Sequence, residues 1–183
     1  MIIDFDDFFE MKAFVLLQEL KSINPLLKVT LFSIPGKNTP SFFEKVAQED
    51  WIELALHGWI HSYKECLNWK AKDVIDYISL INREYPGIFV KGFKPPHWAI
   101  NREAIDTFLK EGYWLSLHPE SDDYKELIDK KAPVYRFTEE TRHGHIEWGP
   151  YSLYNNFDYW KEMIKKARTF KFISEVVNDK DKK

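Results

Sequence analysis

The chain has 183 residues, of which 44% are hydrophobic and 30% are charged, and its formal net charge is −3 at pH 7. These values are typical of a globular protein of about one domain, and no basic stripe points to nucleic-acid binding. The single cysteine excludes an intrachain disulfide, and no apolar run is long enough to predict a membrane span.

Short apolar runs alternate with longer amphipathic segments along most of the chain. The segment 119–131 follows neither pattern and is predicted to be irregular. The apolar runs predict strands at 1–5, 28–34, 51–57, 88–96, 113–119, 132–138, 142–148 and 170–177. The amphipathic segments predict helices at 8–23, 41–49, 70–86, 101–112 and 157–168.

This alternation favours an α/β fold in which helices cover the faces of a parallel sheet, either open or closed into a barrel. Residues that do chemistry in such folds lie at the carboxyl ends of the strands. Residues 1–177 are predicted to form one domain, and the charge-rich tail at 178–183 is expected to be solvated. The chain opens without the features of a signal peptide, so a cytoplasmic location is expected.

Three aspartates occur where the first predicted strand ends, in the stretch IIDFDDFF. Asp4 and Asp6 share one strand face by alternation, whereas Asp7 points elsewhere or begins the loop. Carboxylates among apolar neighbours are costly unless they are solvated, paired or bound to a cation. One alternative is that Asp6 or Asp7 only caps the next helix, but a cap needs a single aspartate.

A histidine pair follows the third predicted strand, in the stretch HGWIHS. His57 and His61 are four residues apart, and they can converge on one ion if the intervening residues form a helical turn. The alternative is a pair of surface or hydrogen-bonded histidines. The spacing does not decide between the two.

The remaining histidines also fall at or near the ends of predicted strands. An aspartate with two imidazoles suits zinc, or a related divalent ion, with an open coordination position. Such an ion lowers the pKa of bound water and polarises a carbonyl group. The four further histidines are His97, His118, His143 and His145.

With these residues in place, the chain resembles the polysaccharide deacetylase family, the NodB-homology carbohydrate esterases. Residues 4–8 (DFDDF) correspond to that family's Phe-Asp-Asp-Gly motif, and residues 57–62 (HGWIHS) to its His-(Ser/Thr)-x-x-His-(Ser/Pro) motif. FKPPHW stands in place of Arg-x-Pro-(Tyr/Phe), and RHGHIEW is the best candidate for the strand with a late histidine. The resemblance implies a distorted (β/α) barrel of about seven strands.

The resemblance also implies a metal site. Asp7, His57 and His61 would bind a divalent ion, with Zn²⁺ as the expected metal. Asp6 would be the general base that activates water, a role that requires a carboxylate beside the ion that is not itself a ligand.

The resemblance further implies an acid and an orienting cation. His145 is favoured as the general acid that protonates the leaving amine, with His143 as the alternative. Lys94 stands where the family has an arginine that orients the catalytic aspartate. The residues expected to contact substrate are Pro96, Trp98, His118 and Trp148.

Three departures from the family pattern set this chain apart. Phe8 replaces the glycine after the two aspartates, which changes the loop below the metal and predicts a narrower cleft. Lys94 cannot offer the planar fork of an arginine. The family's Asp-x-Trp segment has no clear counterpart, although residues 118–124 lie about where it should be.

These observations predict a metal-dependent hydrolase that removes an N-acetyl group from a sugar or glycan-type substrate. One alternative keeps the metal but hydrolyses another C–N bond, such as that of a cyclic amide. Another is a carbohydrate-binding relative without turnover, which the changes at Phe8 and Lys94 favour. The partner in every case is a small molecule or a glycan, and the sequence leaves the oligomeric state open.

Overall fold

The computed structural model describes residues 1–178 and contains one parallel sheet of six strands. The strands are β1 (Ile2–Phe8), β2 (Val29–Ser33), β3 (Ile52–Leu56), β4 (Gly92–Phe93), β5 (Trp114–Leu115) and β6 (Thr141–His145). The helices are α1 (Met11–Ile23), α2 (Pro40–Ala47), α3 (Ala71–Glu84), α4 (Arg102–Lys110), α5 (Asp122–Asp129), α6 (Phe157–Lys166) and α7 (Ile173–Asn178). Apart from Asn178, the tail predicted at 178–183 lies outside the described residues.

The strand order is β5-β4-β3-β2-β1-β6, and every pairing is parallel. The sheet curls into a half-barrel, which confirms the predicted α/β fold of the distorted (β/α) barrel type. The expected number of about seven strands is wrong, because residues 132–138 add only an isolated bridge between Leu115 and Val134. Residues Thr141–His145 occupy the opposite edge, beside β1.

The last predicted strand, 170–177, is also wrong. Lys171 makes one bridge to Ile2, and the chain then turns into α7. Ile173 and Val177 lie four residues apart and are both buried, which is the spacing of a helix face. The backbone N–H of Ile173 donates to the hydroxyl of Thr30 at 3.1 Å, which stabilises the helix start.

A helix also occurs in the stretch predicted to be irregular. Ser121 caps α5, since its hydroxyl accepts a hydrogen bond from Tyr124 N at 3.1 Å, and two aspartates follow in the first turn. Leu127 is its one buried residue, so few apolar positions mark this helix in the sequence. No helix within residues 1–178 is both long and apolar enough to cross a bilayer.

The two faces of the sheet bury different cores. The outer face packs Phe5, Leu31 and Leu54 against the helices, in the larger of two clusters. The inner face packs Phe32 and Trp114 in a smaller cluster with α7. Because side chains alternate between faces, Asp4 and Asp6 share the inner face with Ile2.

Glu53 is a buried carboxylate on the inner face, and its ionisation links stability to pH. Its carboxylate accepts hydrogen bonds from Thr30 Oγ1 at 2.9 Å and from Ser174 Oγ, and burial raises its pKa although these bonds oppose the rise. The folded protein therefore retains this proton to a higher pH than the unfolded chain. Stability should fall as pH rises from the ordinary carboxyl pKa to the raised one.

We expect Glu53→Gln to remove this loss, because glutamine does not ionise. The free energy of unfolding of the variant, relative to that of the wild type, should increase as pH rises from the ordinary carboxyl pKa to the raised pKa of Glu53. Urea unfolding followed by circular dichroism at several pH values measures both curves. Parallel curves for the two proteins would contradict the prediction.

Candidate active site

Two consecutive aspartates at the end of β1 both reach the same cavity. Strand alternation alone would send Asp6 and Asp7 to opposite faces. Asp7 instead has a φ of +67°, and the register with β2 shifts between Phe5 and Phe8. This bulge turns the Asp7 carboxylate toward the side on which Asp6 already lies.

Phe8, the residue after the pair, points the other way. It is fully buried and stacks on Phe42, with ring centroids 5.6 Å apart. The expected narrowing of the cleft by Phe8 is therefore wrong, because its ring belongs to the hydrophobic core.

His57 and His61 converge without the helical turn that the sequence argument required. His57 directly follows β3, and the loop then turns back through Gly58 at φ +70° and His61 at φ +59°. The two imidazole rings lie 4.9 Å apart between centroids. Tyr77 donates its hydroxyl proton to the carbonyl of Gly58 at 2.8 Å and so holds the turn.

The same loop is organised by the carboxylate of Glu65. It accepts backbone N–H groups from Trp59 at 2.5 Å, Ser62 at 3.2 Å and Ile60 at 3.3 Å. Three donors on one carboxylate fix the backbone on both sides of the bend that presents His61. The sequence argument did not single out Glu65, whose partners are backbone groups.

Asp7, His57 and His61 offer three ligand atoms that fit a divalent cation. Asp7 Oδ1 lies 3.0 Å from His61 Nε2 and 3.6 Å from His57 Nε2. His57 Nδ1 donates to the backbone carbonyl of Lys94 at 2.8 Å, which leaves the Nε2 lone pair directed at the site. Asp7 Oδ1 is buried and makes no hydrogen bond within the described residues.

The protonation of the two imidazoles suits ligation. Burial lowers the pKa of His57 to about 4, although the charges of Asp6 and Asp7 oppose it. Burial also lowers the pKa of His61, against the opposing charge of Asp7. Both rings are therefore neutral at pH 7, the form that binds metals.

Asp6 lies beside this set but pairs with Lys94. The Lys94 ammonium is 2.8 Å from each carboxylate oxygen of Asp6, and both side chains are almost fully buried. Burial alone would raise the pKa of Asp6, but the charge of Lys94, supported by His143 and His57, lowers it below its ordinary value. Asp6 is therefore ionised and paired with the Lys94 ammonium.

His145 extends from β6 to the second oxygen of Asp7. Its Nδ1 lies 2.9 Å from Asp7 Oδ2, and this hydrogen bond raises the pKa of His145 although burial opposes the rise. The same bond lowers the pKa of Asp7, against the effect of its burial. The imidazole is partly exposed and can hold a proton at the cavity.

The cavity has a volume of about 290 Å³. The predicted residues on its wall are Asp6, Asp7, His57, His61, Lys94, Trp98, His145 and Trp148. His97, which the sequence argument left as part of a strand stop, is also on this wall, and its ring lies 4.7 Å from that of His61.

Other predicted residues lie around this cavity rather than on its wall. Pro96 is buried and packs close to Gly58. His118 is exposed and meets the edge of Trp98, with ring centroids 5.6 Å apart. His143 lines a separate hollow beside β6, together with Tyr151 and Tyr159. The sequence alone does not distinguish these positions, because all three residues are in or next to strand-end loops.

The role of the Glu65 carboxylate in the loop that presents His61 can be tested by substitution. We expect Glu65→Gln to weaken divalent-metal binding by about 10–100-fold, because an amide accepts with one oxygen only and its NH₂ would face a backbone N–H. Isothermal titration of the metal-free protein with Zn²⁺ measures this. Glu103→Gln is a matched control, since its carboxylate accepts from Ala71 N on the surface. Equal affinities in both variants would contradict the prediction.

No protein-family model and no curated protein matches the chain. Solved structures do match. The Bc1960 peptidoglycan N-acetylglucosamine deacetylase is 18% identical with a TM-score of 0.66, over 95% of this chain and 86% of that one. The chitin deacetylase of the fungal pathogen Colletotrichum lindemuthianum is 12% identical with a TM-score of 0.63, over 95% and 85%.

A third match concerns activity within this fold. A mutant of BA3943, described as a CE4 family pseudoenzyme with restored enzymatic activity, is 15% identical with a TM-score of 0.65. The match spans 96% of this chain and 66% of that one. The chain therefore has the fold of the family 4 carbohydrate esterases.

Proposed function

We propose that this chain, which has the fold of the family 4 carbohydrate esterases, is a divergent metal-dependent deacetylase of that type. It would remove an acetyl group from the nitrogen of a sugar or glycan-type substrate. The observation that carries the proposal is the pair of adjacent aspartates with different partners. Asp7 faces two neutral imidazoles, and Asp6 is held beside them by Lys94.

Asp7, His57 and His61 would hold the ion, with Zn²⁺ as the expected metal. When bound, it would supply Lewis acidity, polarising a carbonyl and making water a better nucleophile. Asp6 accepts a proton from the attacking water, since its carboxylate borders the cavity and stays ionised. His145 donates a proton to the leaving nitrogen, because its ring lines the cavity and Asp7 favours its protonated form.

The position of Lys94 favours a single ion, held by Asp7, His57 and His61. Asp6, His143 and His145 form a second group with metal-ligand spacing. A cation there would meet the Lys94 ammonium, which is 2.8 Å from both Asp6 oxygens.

The direct test is metal analysis of the purified protein together with acetate release from a panel of N-acetylated sugars and oligosaccharides. We expect one divalent ion per chain and acetate from at least one substrate. Metal without acetate would favour either a hydrolase of another C–N bond, such as that of a cyclic amide, or a carbohydrate-binding relative without turnover. A pseudoenzyme has been described among the proteins that share this fold. A chain that binds no divalent metal would contradict the proposal.

The proposed acid can be tested through the leaving group. His145→Gln should lower kcat on an N-acetyl sugar by roughly 10²–10⁴-fold, because an amine leaves only after protonation. It should have little effect on p-nitrophenyl acetate, whose phenolate leaves without a proton. Comparing kcat for the two substrates measures the difference. An equal loss on both would assign His145 another role.

A further inference from the structure

Asp4 is a buried carboxylate at the site that the proposed mechanism leaves without a role. It lies on the inner face of β1, one alternation below Asp6, and its side chain is fully buried. Asp4 Oδ2 lies 2.7 Å from His143 Nδ1 and 3.9 Å from Lys94 Nζ. Asp4 Oδ1 has no hydrogen-bond partner within the described residues.

His143 connects Asp4 to Asp6. Since a carboxylate can only accept, His143 Nδ1 donates its proton to Asp4, and the ring is thereby oriented. His143 Nε2 then lies 3.8 Å from Asp6 Oδ2. Lys94 completes a ring of contacts, since its Nζ lies 2.8 Å from Asp6 Oδ2 and 3.9 Å from Asp4 Oδ2.

The four side chains thus alternate around a ring as carboxylate, imidazole, carboxylate and ammonium. Lys94 is also held over the face of Trp98, with Nζ 4.2 Å from the ring centroid. A lysine ammonium is a point charge on a flexible stem and does not fix a carboxylate in the way that a planar guanidinium fork does. Asp4 and His143 border the pair of Asp6 and Lys94 and limit its movement. Asp4 Oδ2 lies 3.9 Å from Lys94 Nζ, and the ring that Asp4 orients brings His143 Nε2 to 3.8 Å from Asp6 Oδ2.

We infer that Asp4 and His143 are positioning residues that hold Asp6 in its working orientation, with Lys94 shared between the two aspartates. This inference rests on the proposed function, in which Asp6 accepts the proton of the attacking water. It assigns His143 to the base side of the reaction, whereas His145 serves the leaving group.

The placement of His143 agrees with this division. Of the two histidines, His145 lines the substrate cavity, and His143 lines the hollow beside β6. His143 Nδ1 is occupied by Asp4, and its Nε2 faces the carboxylate of Asp6 rather than Asp7. A general acid needs access to the leaving group, which His145 has.

The test compares Asp4→Asn, His143→Gln and the double variant with the wild type, all loaded with Zn²⁺. We expect each single variant to lower kcat by about 10–100-fold, by the same factor on an N-acetyl sugar and on p-nitrophenyl acetate, because both reactions need the base. KM and bound zinc should stay unchanged. The double variant should be no slower than the slower single one, since the two residues act as a unit.

Glu53→Gln is the matched control. It also converts a buried inner-face carboxylate to an amide, but Glu53 contacts Thr30 and Ser174 instead of the site. We expect it to keep wild-type kcat. A loss of kcat on the N-acetyl sugar alone would assign His143 to protonation of the leaving group. Additive losses of kcat in the double variant would show that Asp4 and His143 act independently. Either result overturns the inference, as does wild-type kcat in Asp4→Asn.

A second measurement separates this inference from the proposed function. Proton–nitrogen NMR of the imidazoles in the zinc-loaded protein should show a hydrogen-bonded His143 Nδ1–H that persists in Glu53→Gln and is lost or shifted in Asp4→Asn. If the wild type hydrolyses neither substrate but shows this signal, the proposed function fails while the orienting contact stands. An unchanged signal in Asp4→Asn overturns the inference even if the enzyme is active.

Discussion

Asp6→Asn is expected to lower kcat for deacetylation by roughly 10²–10⁴-fold while leaving the bound metal unchanged. Asparagine keeps the size of the side chain, and its carbonyl oxygen can still accept from Lys94, which donates to Asp6 at 2.8 Å. What it loses is the basic oxygen that takes the proton of water in the proposed mechanism. Initial rates on the substrate identified in the acetate panel, beside metal analysis of the same preparation, measure both quantities.

Two results for this variant would contradict the assignment. Unchanged kcat would show that Asp6 is not the base. Loss of the metal would show that Asp6 is a ligand, so that the division of roles between Asp6 and Asp7 would have to be reversed.

Asp7→Asn is expected to abolish activity by removing the metal. Asp7 Oδ1 is the atom that both His57 Nε2 and His61 Nε2 approach, at 3.6 Å and 3.0 Å. Asparagine tolerates the left-handed backbone at this position, where φ is +67°, and its oxygen can still accept from His145. The loss of the charged ligand is therefore separated from backbone strain.

Thermal unfolding with and without zinc measures the loss at Asp7. A ligand at 100 times its Kd stabilises the folded state by about 2.7 kcal/mol, so zinc should raise the Tm of the wild type and not that of Asp7→Asn. With EDTA present, the two proteins should unfold at similar temperatures. An equal zinc-dependent rise in both would show that the ion binds elsewhere.

The alternation of apolar and amphipathic segments was enough to predict a parallel α/β sheet, because buried parallel strands and amphipathic helices have different periodicities. It was not enough for two of the predicted strands. The stretch 170–177 has apolar residues that fit a strand, yet Ile173 and Val177 pack on the inner face as a helix. The stretch 132–138 forms a single bridge at Val134. In both stretches, the neighbouring elements decide the outcome.

The candidate metal ligands were predicted from the resemblance of DFDD and HGWIHS to family motifs. The two stretches follow strands of a parallel sheet, whose carboxyl ends meet at one edge, and this agrees with a shared site. The partners of those residues do not follow from sequence. The contact of Lys94 with Asp6 joins segments that are far apart in the chain, as does that of His143 with Asp4. The bulge at Asp7 lies where β1 pairs with β2.

Residue types and their order thus specify the chemistry available at this site, because ligand atoms and acid–base groups belong to individual side chains. Backbone conformation and strand register decide the geometry of the site. They decide which aspartate faces the imidazoles, which histidine borders the cavity and which carboxylate is buried beneath the cavity. A left-handed residue at Asp7 reverses the expected alternation of β1. The pairing of β6 with β1 sets His143 beside Asp4 and His145 beside Asp6. Those geometric relations arise only when the chain has folded.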